Sequence, residues 1–156
     1  MKKIYYLITV LVLGCALFLV NCKDKEAEPT PDPRTKTQLI TASVWKITTM
    51  VCDTSVDTDG KDGASKDLLS QKLPCQNDDT YLFKSDSTTT EYTNVKCNAN
   101  EKVSYKGSWI FTNAEKTLTW NGANYPILEL TGTKMLLRYT LTASGNVYGI
   151  TITLAH

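Results

Sequence analysis

The run Asp57-Thr58-Asp59-Gly60-Lys61-Asp62-Gly63 is spaced like a cation-binding loop. Ca²⁺ loops set oxygen ligands at alternate positions around a glycine turn. Laid on that pattern through Ser55, Asp57, Asp59 and Gly60, the run puts Lys66 where a bidentate glutamate should close the shell. A lysine there repels the ion. Asp53, Asp57, Asp59 and Asp62 therefore offer no more than a weak, irregular Ca²⁺ site, and the plainer reading is a polar surface loop.

Other chemistry is poorly supplied. The sole histidine, His156, ends the chain, and no CxxC pair exists, so neither a nucleophile–base triad nor a zinc site can be composed. Asp78 and Asp79 are carboxylates of the type that cleave glycosides. Neighbours in a strand point to opposite faces, however, so the two do not converge. Cys52 has no evident partner to lower its pKa. The expectation is a non-enzyme with no cofactor and no resident metal. With the amino-terminal Lys2 and Lys3 set aside, the formal charge moves from +1 to about −1, which leaves no basic excess for nucleic acid.

Cys52, Cys75 and Cys97 lie in the body of the chain, and three thiols allow one pair and one left over. Cys75 and Cys97 bracket a candidate hairpin whose antiparallel strands would bring them within bridging reach. A loop of that length would contribute about 3 kcal/mol through the unfolded state. The alternative, Cys52 with Cys75, would staple the long loop between them.

The elements that must position these residues read as strands. From residue 44 onward, β-branched and aromatic residues alternate with Thr, Ser and Lys, and turn residues interrupt at short intervals. Strands are expected at 44–51, 80–85, 88–94, 101–112, 117–120, 123–130, 133–142 and 146–154. A helical turn is expected within 35–43, and another at 66–72 inside a long loop, 52–77. Asn121-Gly122 is a strong hairpin signal because both central residues of that turn need positive φ. Short links make sequence neighbours pair antiparallel, and eight such strands close into an all-β, up-and-down antiparallel barrel.

Period-two reading turns Trp45, Ile47, Val103, Tyr105, Trp109, Phe111, Leu118, Trp120, Met135, Leu137, Tyr139, Leu141, Ile150, Ile152 and Leu154 inward. Gly107 and Gly149, inside strands, are expected at bulges or sharp corners. Trp45, Tyr81, Tyr105, Trp109, Phe111, Trp120 and Tyr139 are candidates to line a pocket for an apolar ligand. The competing reading is a barrel plugged by those same side chains.

The amino terminus predicts an address. Lys2 and Lys3 precede an apolar run that ends at Cys22, and Lys23-Asp24-Lys25-Glu26 follows at once. This layout reads as a signal peptide, 1–21, whose cleavage leaves Cys22 for lipid attachment. Val12-Leu13-Gly14-Cys15 is a competing match that would leave an apolar stub at 16–20. An uncleaved anchor is a further alternative, since the run is close to the roughly 17 residues that a span requires. Residues 22–34 are polar and Pro-rich, an extended linker. Residues 35–156 form the expected domain, and no later run approaches the roughly 20 apolar residues of a spanning helix.

Trp45-Lys46, Cys75-x-x-Asp78-Asp79-x-Tyr81-x-Phe83, Cys97, Gly107-x-Trp109, Leu118-x-Trp120, Ile127-x-x-Leu130 and Met135-Leu136-Leu137 follow one another in a familiar order. The set resembles the lipocalin-like domain lipoproteins of Bacteroidota-type bacteria, over about residues 38–154. The resemblance implies a small lipocalin-type barrel, an envelope location and pairing of the two cysteines around the hairpin. True lipocalins place a glycine two residues before the first-strand tryptophan, where this chain has Ser43. They commonly pack a late arginine on that tryptophan, and Arg138 is the candidate. Cys22-Lys23-Asp24-Lys25-Glu26 resembles the export tag of surface lipoproteins in such bacteria, while a periplasmic facing stays open. The partners expected are the membrane, through the anchor, and either a small apolar ligand or a protein. In the second case the chain would be an inhibitor of a host enzyme or an accessory subunit of an outer-membrane complex.

Overall fold

A computed structural model describes residues 32–57, 63–143 and 145–156. The expected signal peptide, Cys22 and most of the linker lie outside the described residues. Nine strands and two short helices follow in order: α1 (Lys36–Thr41), β1 (Val44–Val56), β2 (Ser65–Asp67), α2 (Pro74–Asn77), β3 (Thr80–Phe83), β4 (Thr88–Tyr92), β5 (Ser104–Thr112), β6 (Thr117–Trp120), β7 (Ala123–Leu130), β8 (Lys134–Ala143) and β9 (Asn146–Ala155).

Every strand pairs antiparallel with its neighbour, and β1 pairs with β9 as well as with β3. Eight strands therefore close into a barrel with no free edge among them. The ninth, β2, sits outside that ring. The β1 edge that holds β3 at Val44–Lys46 holds β2 further along, at Val51 and Val56. The expectation of a loop beginning at Cys52 is thus corrected: β1 runs on to Val56, and β2 pairs with its far half. No helix forms at 66–72 either. Ser65–Asp67 is strand, and the helix lies at Pro74–Asn77, where Pro74 supplies a preset φ at the first helical position.

Two irregularities in register decide which side chains face inward. Between Ile47 and Thr49 the pairing with β9 slips by one residue, so Thr48 is extra. Trp45 and Ile47 face inward before it; Met50, Cys52 and Val56 face inward after it. Leu128 is extra in β7 in the same way, between Ile127 opposite Leu137 and Leu130 opposite Met135. Neither expected glycine corner is a bulge: the register runs unbroken through Thr89–Gly107 and Thr140–Gly149. Both glycines instead leave room for a crossing side chain. A Cβ on Gly107 would meet the Asn121 amide, and one on Gly149 would meet the Arg138 guanidinium and the Asp53 carboxylate. The Asn121-Gly122 turn has positive φ at both residues, as its sequence predicts.

Antiparallel alternation puts α1 and the β3–β4, β5–β6 and β7–β8 turns at one end. At the other end, the mouth, lie β2, α2 and the β4–β5, β6–β7 and β8–β9 connections. At six residues α1 is too short to hold alone. A reciprocal cap starts it: Thr35 Oγ1 accepts from the Gln38 amide, and Gln38 Oε1 accepts from the Thr35 amide. It packs on both β3 and β7, opposite strands of the ring, so it lies across the closed end. Its Ile40 carbonyl accepts a 2.8 Å hydrogen bond from Trp45 Nε1–H, and Leu39 and Ile40 are buried. The outer face mixes polar residues, among them Lys46, Lys106, Ser108, Arg138, Thr151 and Thr153, with exposed Val44, Val51, Ile110 and Leu128.

Trp45 is fully buried, so the carbonyl that it satisfies has no solvent to fall back on. Trp45→Phe keeps an aromatic ring but removes the donor and part of the buried indole's volume. Urea unfolding should show a loss of about 1–3 kcal/mol, the cost of a buried polar group left unpaired. A loss well below that would mean that the bond between α1 and β1 does not hold the closed end.

Candidate functional site

The interior is aromatic and mutually packed. Trp109 meets Phe111 at 5.3 Å between ring centroids and Phe83 at 5.9 Å. Phe83 meets Trp120 at 5.2 Å, and Trp120 meets Tyr81 at 4.9 Å and Tyr125 at 5.8 Å. Tyr125 stacks on Tyr139 at 5.3 Å. These are contact spacings for aromatic rings. Trp109 Nε1–H donates to the Lys84 carbonyl, whereas Trp120 Nε1 is buried without a hydrogen-bond partner among the described residues. Of the seven predicted pocket residues, Trp45, Tyr81, Trp109, Phe111, Trp120 and Tyr139 are buried or half-buried in this core. Tyr105 is the exception in burial, not in facing. It shares the inner-face row of Tyr81 and Glu91 but is 42% exposed, at the mouth end of β5. Val103 lies before the strand begins and is exposed too.

Packing loosens toward the mouth. Along β8, Met135 and Leu137 are fully buried, Tyr139 is half-buried and Leu141 is exposed. A cavity of about 200 Å³ opens there between β1 and the β8–β9 hairpin, lined by Cys52, Val56, Leu68, Leu141, Tyr148 and Ile150, with exposed Asp57 and Ala143 alongside. None of the seven predicted aromatic residues lines it. Ile150 was marked inward by its alternation; Cys52 was hidden by the Thr48 bulge, and Leu68 by the loop assignment. A second hollow, of about 250 Å³, lies under α1, where Trp109 and Phe111 meet Thr37, Ser85, Ser87 and Glu115. Its wall is more polar, and Lys36 of α1 reaches the Glu115 carbonyl beside it.

Cys75 and Cys97 are disulfide-bonded, and Cys52 is free and buried. The bridge ties the connection carrying β2 and α2 to the β4–β5 connection, both at the mouth. Arg138 does not cover Trp45. It lies outside the barrel, over Gly149, pairing with Asp53 and donating to Thr151. The His156 ring meets Trp45 instead, edge-on at 4.7 Å. Asp53 is therefore committed to a guanidinium rather than to a cation site. Asp59 and Asp62 lie outside the described residues, and Asp57 ends a described segment. Among the described residues, no group of three metal-ligating side chains gathers.

The mouth wall made by β3 and β4 is acidic. Burial and the negative charges of Glu91, Asp78 and Glu101 push the Asp79 carboxyl upward, against a smaller pull from Lys72. Burial, together with Glu91 and Asp79, raises the Tyr81 hydroxyl well above its ordinary value. Asp78 and Asp79 each keep a side-chain oxygen that is buried without a partner among the described residues.

A lipocalin-like domain family matches residues 42–137. The chain belongs to that family. Among solved structures it is similar to bovine odorant-binding protein in complex with a selenium-containing odorant, at 12% identity and a TM-score of 0.43, covering 83% of this chain and 76% of that one. No curated protein matches the sequence.

Because its folded pKa is raised, Asp79 favours folding most at low pH. That contribution falls as pH rises from the unfolded value toward the folded one, and is absent above both. Asp79→Asn should therefore raise Tm at neutral pH, and the gain should shrink toward about pH 3, where both states bind the proton. Melting curves at the two pH values check this, and an equal gain at both would remove charge as the cause.

Proposed function

We propose that this chain is a non-catalytic envelope lipoprotein, anchored to the bacterial outer membrane through a lipid on Cys22, that carries a small apolar ligand at the mouth of its barrel. The observation that carries the ligand reading is the 200 Å³ cavity, whose wall is built mainly of apolar side chains from the inner faces of β1, β8 and β9. Such pockets bind through apolar burial with few polar contacts. The anchor reading rests on the amino-terminal layout alone: a basic start, an apolar run and Cys22 before a charged, Pro-rich linker.

A protein-facing role is the second reading. Leu73, Val95 and Val103 are exposed apolar side chains in the segments that the disulfide draws together.

Native mass spectrometry of protein purified from its host should show a small copurified apolar mass. An empty barrel accompanied by a stoichiometric protein partner would turn the assignment to the second reading. Cys22→Ala should move the protein from the membrane to the soluble fraction, and unchanged partitioning would reject lipidation at that residue.

A further inference from the structure

We propose that the mouth cavity selects neutral ligands of one or two fused rings and excludes acyl chains. This rests on the ligand-carrying reading above and narrows it to a class. Size is the first argument. A cavity of about 150 Å³ takes benzene, and drug-sized ligands need upward of about 300 Å³. At about 200 Å³, this one has room for an indole-sized ring system.

Depth is the second argument. To bury its whole length, a longer ligand would have to run down the barrel axis, where the aromatic core stands in the way. The chain of rings from Tyr139 through Tyr125 and Trp120 to Phe83 stands at centroid spacings of 5.2 to 5.8 Å, leaving no gap for methylenes. Opening one would break several ring contacts within a close-packed core.

The wall is the third. Cys52 presents a thiol and Tyr148 a ring among aliphatic side chains, and sulfur and ring edges suit an aromatic guest. Among the described residues, no lysine or arginine lines the cavity.

The test is calorimetric titration of the full chain in lipid nanodiscs with indole and with dodecanoate, against empty nanodiscs. Indole should bind at one per chain, and dodecanoate should give no excess heat. Cys52→Leu, which grows a side chain into the cavity, should weaken indole at least tenfold. Should that variant fail to fold, Leu68→Ala serves: its enlarged cavity should accept phenanthrene, which the native protein rejects. Dodecanoate binding as tightly as indole would overturn the size selection and leave the carrier reading standing. Binding of neither probe would remove both. Indole affinity indifferent to Cys52→Leu, or phenanthrene excluded by Leu68→Ala, would place the ligand elsewhere.

Discussion

The seam between β1 and β9 is the constraint on which the structure depends. Until β1 pairs with β9, the meander from β3 to β9 is an open sheet with an apolar face. Closure removes both edges and buries that face against itself. The seam also carries the Thr48 bulge, so one inserted residue sets two inner faces on the same strand. Before it, Trp45 fixes α1 over the closed end through its buried hydrogen bond. After it, Cys52 and Val56 form a wall of the mouth cavity. Without the bulge, period two would turn Asp53 inward in place of Cys52, and a carboxylate would stand where the cavity has a thiol. Outside the seam, Arg138 reaches across β9 to Asp53, joining three strands where Gly149 leaves space.

Interior volume is divided between self-packed side chains and an open mouth. A small eight-stranded barrel is just wide enough for its own side chains. Here most of the large aromatic residues pack together at the closed end and middle, and the mouth cavity is lined mainly by smaller side chains beside Tyr148. The aromatic richness that suggested a roomy pocket is what closes most of it. Open space is left where Cys52 and the aliphatic residues are too small to meet across the barrel.

Much of the fold was legible because local chemistry and global topology agree. The eight ring strands, the Asn121-Gly122 turn and the helical turn carrying Leu39 and Ile40 each follow from residues acting within their own segment. The Cys75–Cys97 pairing follows from the hairpin that the two cysteines flank. Alternation identified the inner face of β6, β9 and the first part of β8 for the same reason. What alternation cannot register is a change of phase. Thr48 and Leu128 look like any outward residue, and only the partner strand shows that each is supernumerary. Nor does it report depth: Tyr105 and Leu141 face the correct way, but they lie beyond the reach of the opposite wall. Gly107 and Gly149 drew attention as backbone features, yet their use is to admit Asn121 and Arg138, residues 14 and 11 positions away in sequence on neighbouring structure. The cavity was missed because the Thr48 phase change hid Cys52 and the loop assignment hid Leu68.

The disulfide and the cavity stand on different sides of the mouth, yet one connection serves both. Leu68, which covers the cavity, donates its amide to the Met50 carbonyl of β1. From there to Cys75 the chain is braced at each step. The Leu69 carbonyl accepts from the Lys72 amide and from Asn77 Nδ2, and Gln71 Nε2 donates to the Val56 carbonyl. The Cys75–Cys97 bridge then fastens the far end to the β4–β5 connection. A cross-link acts mainly by restricting the chain when it is free, but here its native consequence is local: it limits how far the segment carrying Leu68 can lift. A loop otherwise free to swing would leave the cavity size undefined. Held at both ends, it gives the cavity a fixed wall, and a fixed wall is what allows a small cavity to discriminate by size.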